Sequence, residues 1–145
     1  MKMTNSQYTK LVDKTTPPSK KLSNFIRAFI VGGLICVIGE ALGTLYESSG
    51  VSEQHIKLLI PVTLIAAAAF ITALGLYDKL ARFAGAGALI PITGFANAMA
   101  SPAMEFKSEG HILGIGAKMF TIAGPVIVFG LLASVLYGFL YWLFI

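Results

Sequence analysis

The sequence predicts an all-α, polytopic helical membrane protein with three full spans plus broken or re-entrant segments, a fourth crossing being left open. Hydrophobic residues fill 56% of its 145 positions and charged residues only 12%, about half the charged share of ordinary globular domains. Three apolar runs, residues 25–46, 58–77 and 125–145, are each long enough for a hydrocarbon core of about 30 Å. A fourth, residues 83–104 beginning FAGAGALIPITGFANAM, is equally apolar but interrupted by Gly85, Gly87, Pro91, Gly94 and Pro102. Non-helical backbone at membrane depth survives only where protein buries it or where it lines a water-filled cavity. The interrupted run is therefore the expected working part.

Residues 1–24 form a polar arm ahead of a membrane domain at 25–145, with a short helix expected at 8–13. The net charge of +4 arises there, because Lys2, Lys10, Lys14, Lys20 and Lys21 outnumber Asp13 while the remainder balances. A basic flank of this kind places the arm on the cytoplasmic side, and contact with acidic lipid is compatible with it. Nucleic acid is not the expected partner, since no basic face interleaved with aromatics is present. A cleaved leader is not expected either, because the polar lead is long and the next apolar run is itself long enough to span. The lone Cys36 has no partner for a disulfide and no zinc-site spacing.

In the first span, Arg27 lies near the start and can extend its head to the basic side. At helical spacing Ala28, Gly32, Cys36 and Glu40 share a face, with Gly39 and Gly43 beside it. Small residues admit a second backbone closely, and a charge at mid-bilayer costs about 2.5–3.5 kcal/mol on insertion scales. Glu40 thus faces protein or water, either as a structural hydrogen-bond partner or as a pathway-lining residue. Residues 47–57 form a polar loop, outside if the arm is inside, in which His55 reads as solvated. The second span follows at 58–77, with Pro61 expected in its first turn and alanines at 66–69 offering a packing surface. Asp78, Lys79 and Arg82 then return the chain to the basic side.

In the interrupted run, Gly85-Ala86-Gly87 is no dinucleotide loop, because Ile90 stands where the third glycine belongs and no strand precedes it. The run is expected to divide into two short pieces at Ile90-Pro91, with Thr93, Asn97 and Ser101 as polar lining at spacing four. The link at 105–111 is inside if this run re-enters and outside if it crosses. Residues 112–145 are too long for one hydrocarbon thickness, about 50 Å as a continuous helix. A break at Ala123-Gly124-Pro125 is expected to divide them into a short helix at 112–122 carrying Lys118 and a full span with Pro125 in its first turn. Tyr137, Tyr141 and Trp142 would mark an interface. Lys118 either extends to an interface or meets a ligand, and its pairing with Glu40 is left open. The chain holds no nucleophile–base pair, metal-ligand cluster or phosphate loop, so no enzyme activity, catalytic residue, metal site or cofactor is expected.

The segments FIVGGLICVIGEAL, GLYDKLARFAGAGALIPITGFANAM and EFKSEGHILGIGAKMF followed by VIVFG resemble the SpoVA family of spore-forming bacteria, over residues 25–141 in one order. The long basic arm favours one subunit type of that family over another that shares VGGLICVIG and FAGAG. The resemblance implies a subunit of the complex that moves dipicolinic acid with calcium across the membrane around the spore core, inward in sporulation and outward in germination. It implies other SpoVA subunits as partners, an oligomer or hetero-complex in the spore inner membrane, and a link of this subunit type with mechanosensitive channel behaviour. The family pattern commonly places Gln where this chain has Glu40, so no charged role is carried over to it. For a planar dianion, Gly85, Gly87, Thr93, Asn97 and Lys118 offer backbone N–H groups, polar side-chain donors and a cation. Calcium would want oxygen ligands, for which Glu40, Glu105 and Asn97 are too dispersed to assign.

Overall fold

The computed structural model describes residues 4–15 and 21–144, and every regular element among them is helical. Lys2 and Lys20 of the basic arm lie outside the described residues. In chain order the helices are α1 (Asn5–Thr15), α2 (Lys21–Ser48), α3 (Glu53–Ala73), α4 (Tyr77–Ala84), α5 (Ala86–Leu89), α6 (Ile92–Glu105) and α7 (Ala117–Phe144). A 3₁₀ turn at Lys107–Glu109 and a π-helical stretch at His111–Gly116 join α6 to α7. Three of these stretches are long and apolar enough to cross a membrane: Lys21–Ser48, Glu53–Ala73 and His111–Phe144.

Helices α2 and α3 form an antiparallel hairpin because only four residues separate them, Ser49 to Ser52. The polar loop is shorter than the sequence suggests. Glu53 and Lys57 pair at 2.7 Å one turn apart, and Glu53 sits in the first turn, where the positive end of the helix dipole favours it. The helix thus starts at Glu53 and ends at Ala73, not at 58 and 77. Pro61 is consequently interior to α3 rather than in its first turn. Its missing N–H costs the Lys57 carbonyl one partner, and the other bonds of the ladder hold the helix, as in membrane helices generally. Gly75, with φ +68°, then turns the chain into α4.

The small-residue stripe on α2 carries a neighbour. A Cβ on Gly87 of α5 would fall on the Ala28 carbonyl oxygen and 2.7 Å from Ala28 Cα, so α5 packs backbone to backbone against α2. Gly39 and Gly43 receive Ile60 and Leu64 of α3 on the adjoining face. The buried core is accordingly small, made of Val31, Ala68, Tyr77, Ala84, Ala88 and Ala96. Such contacts suit helices in lipid, where close approach rather than expulsion of water drives association.

The direction of the interrupted run follows from its neighbours. Asn24, Phe25 and Ala28 meet Gly85 and Ala86, whereas Gly32 and Cys36 adjoin Ile90 and Pro91, so α5 runs parallel to α2. Tyr77 meets Thr93, Thr72 meets Asn97, and Ile65 and Ala69 adjoin Met99 and Ala103, so α6 runs antiparallel to α3. Both pieces advance the same way, divided at Ile90-Pro91 as the sequence suggests. They carry the 105–110 link toward the end of the bundle that holds the α2–α3 loop.

The expected break at Ala123-Gly124-Pro125 is absent, because α7 continues through Pro125 to Phe144. Pro125 removes one bond, that to the Thr121 carbonyl, and an apolar surrounding offers the rest of the backbone no alternative partner. The irregularity lies earlier. Gly110 turns the chain at φ +94°, and Gly114 packs so tightly on the Phe106 carbonyl that a Cβ there would also lie 2.9 Å from Glu109 Cβ. From Pro125 to Phe144 every residue is exposed, so the distal part of α7 is not covered by the other described residues.

Candidate functional site

The buried polar groups of the described residues gather around the interruption between α5 and α6. Four residues of helix end at Leu89, Ile90 closes them with its N–H on the Ala86 carbonyl, Pro91 alone is extended, and α6 begins at Ile92. Pro91 has no N–H for the Gly87 carbonyl, and the break frees the carbonyls that follow it. Tyr77 supplies one replacement. Its hydroxyl, on a side chain only 2% exposed, donates to the Ala88 carbonyl at 2.7 Å. It also lies 3.1 Å from Thr93 Oγ1; a phenol carries one proton, so the Thr93 hydroxyl closes that second contact.

One turn along α6, Asn97 meets α3. Its side-chain amide lies 2.9 Å from Thr72 Oγ1, which is itself 2.7 Å from the Ala68 carbonyl. The Thr72 hydroxyl therefore faces two acceptors, the Ala68 carbonyl and Asn97 Oδ1, which share its single proton. Thr93 and Asn97 thus tie α6 to α4 and α3, while Ser101, the third position of that row, is exposed.

The glycines hold the geometry for two different reasons. Gly85 adopts φ +54°, ψ −125°, open to a residue without Cβ. Gly87 is required by the approach to Ala28, and Gly94 by the Ala88 carbonyl, 2.5 Å from where its Cβ would be. The two charged candidates lie apart from this node. Lys118, half-buried in the first turn of α7, stands over the Phe106 ring at 4.3 Å, a cation–π contact. Glu40 is exposed on α2, in a groove with Thr44, Glu47, Glu53 and Lys57 near the α2–α3 loop. No ion pair joins it to Lys118; among the described residues the pairs are Glu53–Lys57 and Asp78–Arg82. Glu105 is exposed at the end of α6, and no three His, Cys, Asp or Glu side chains of the described residues converge as for a metal ion.

Sequence reasoning missed Tyr77 and Thr72, the partners of the two central polar residues. Each is a hydroxyl at the end of an apolar run. A buried hydroxyl needs a hydrogen-bond partner, and that demand was the available signal.

Residues 24–140 match the profile of the family described as SpoVAC/SpoVAEB sporulation membrane protein. The chain is also 44% identical over 139 residues to stage V sporulation protein AC of Bacillus subtilis (strain 168), covering 94% of this chain and 93% of the relative. No solved structure matches it. With three apolar helices of spanning length and a family match that runs from the first turn of α2 into α7, the chain belongs to the SpoVAC/SpoVAEB family of sporulation membrane proteins.

Proposed function

We propose that this chain is a channel or transport subunit of a SpoVA complex. It moves dipicolinic acid with calcium across the spore inner membrane, inward during sporulation and outward on germination, with tension as a gating stimulus. Its amino-terminal arm lies on the spore-core side, its partners are other SpoVA subunits, and it works without covalent chemistry. The observation that carries this reading is the α5–α6 interruption, a broken helix among packed spans with polar side chains at the break. Transporters build substrate sites at such discontinuous helices, near helix termini and freed backbone groups.

The test is flux from liposomes loaded with calcium dipicolinate, with the chain alone and with its partner subunits, at rest and under osmotic tension. Release that depends on the chain is the expected result. Absence of release under every tension and partner combination would overturn it.

A second reading, a non-conducting scaffold of the same complex, draws on one specific observation. The hydroxyl of Thr93 and the amide of Asn97 are engaged with Tyr77 and Thr72 rather than open to a pathway. Thr93→Val and Asn97→Leu separate the two. A conducting role changes flux with assembly intact, whereas under the scaffold reading assembly and spore dipicolinate content fall together.

A further inference from the structure

At the end of the bundle where α2 begins, a groove opens between α2 and the α4–α5 corner. Its first part, about 390 Å³, is lined by Asn24, Phe25, Arg82 and Phe83 over a floor of Ala28 and Ala86. The second part, about 270 Å³, shares Ala28 and Ala86 and continues past Gly32 to Cys36, Ile90 and Pro91. It presents no polar side chain. One end of a continuous groove is therefore cationic and hydrogen-bonding, and the other is wholly apolar.

Charge around the polar end is positive. Arg27 stands over the Phe83 ring at 5.1 Å, and Lys21, Lys79 and Arg82 are exposed on the same two helices. Against these four stands Asp78, which pairs with Arg82 at 2.7 Å through one of its guanidinium nitrogens. The opposite end of the α2–α3 hairpin has the reverse balance, with Glu40, Glu47 and Glu53 around Lys57. An anionic amphiphile has a reason to choose one end over the other.

Length agrees with charge. From Asn24 to Cys36 along α2 the groove extends about 18 Å at 1.5 Å per residue, and one leaflet of hydrocarbon is about 15 Å deep. A headgroup at Arg82 and Asn24 leaves one acyl tail to run down the apolar part to Ile90 and Pro91.

We propose that this groove is a binding site for an anionic phospholipid, its phosphate at Arg82, Arg27 and Asn24 and its tail along the cleft beside the α2–α5 contact. The bulk membrane supplies the lipid, and the site does not depend on what the chain transports. The tail lies along Ala28, Gly32 and Cys36 on one side and Ala86, Ile90 and Pro91 on the other, beside the point where Gly87 rests on the Ala28 backbone.

The test uses the full chain in nanodiscs of phosphatidylcholine doped with phosphatidylglycerol carrying a diazirine in its acyl chain. Crosslinks are expected at 28–36 and 86–91. A basic group near an anionic surface is worth about fivefold in affinity, so Arg27→Gln with Arg82→Gln lowers phosphatidylglycerol retention about 30-fold. Cys36→Phe, which fills the tail groove and leaves the charges, abolishes the crosslinks, and Lys107→Gln changes nothing. Far-UV circular dichroism confirms that the variants keep their helix content. Equal retention of the two lipids by the unmodified chain would overturn the proposal. So would an equal loss in the Lys107→Gln control, which means diffuse surface charge. Displacement by inorganic phosphate at the concentration of the lipid headgroups would overturn it as well, since the tail would then contribute nothing.

Discussion

At Tyr77 one hydroxyl replaces a hydrogen bond that the helix break removes, and its surroundings leave no room for water to do so. Tyr77→Phe keeps the ring but orphans the Ala88 carbonyl and Thr93, so a loss of about 1–3 kcal/mol is expected, read from thermal or denaturant unfolding in detergent. Gly87→Ala puts a methyl group on the Ala28 backbone. Overpacking of that kind costs about 1–3 kcal/mol, whereas Gly33→Ala, with nothing within 4 Å, stays within about 0.5 kcal/mol. A similar loss in both variants would show that α5 does not rest on α2. The glycines and Thr93 and Asn97 stood out in the sequence as breaks and polar positions. Their partners did not, since which distant residue meets an amide depends on how the helices are placed.

Two prolines illustrate the scale of the element. Pro91 lies at a true break, where the helix on either side is short and the freed groups have built-in partners. Pro125 lies within a 28-residue helix that ignores it. Pro125→Ala restores one backbone bond and is expected to raise unfolding stability, by as much as about 3 kcal/mol, without changing assembly. Pro91→Ala lets α5 and α6 merge, draws Thr93 from Tyr77 and is expected to lower stability and, under the proposed transport role, to alter dipicolinate flux. The opposite order would mean that the working hinge is at Pro125. The Gly-Pro pair in residues 124–125 had the same signature in sequence as Ile90-Pro91. What separated them was packing: Gly94 and Gly87 anchor the first break on other backbones, while Gly124 has open space around it.

For the molecule as a whole, the run from α5 through α6 advances in one direction, first along α2 and then along α3, which bears on how the chain lies in a membrane. On a Cys36→Ala background, Ser108→Cys is expected to react with an impermeant thiol reagent from the same side as Ser49→Cys, and Asn24→Cys from the opposite side. If Ser108 instead labels with Asn24, the central segment is re-entrant. The same view gives α7 a distinct place. It meets the bundle through its first turns, near Met119 and Ala123, and its remaining length is apolar and exposed. Lipid and neighbouring subunits are the surroundings that such a surface suits.

Composition, the lengths of the apolar runs and the positions of the prolines by themselves determined the class of this protein, its hairpin of spans and the places where a helix could break. These follow from local constraints, the thickness of hydrocarbon and the missing proline N–H, that need no neighbour. The tertiary structure alone decided which glycines are indispensable, where Thr93 and Asn97 find their partners, and that the second break lies at the turn after Gly110 rather than at Pro125. A proline interrupts a helix only when the packing around it favours the interruption. That depends on what approaches from other parts of the chain.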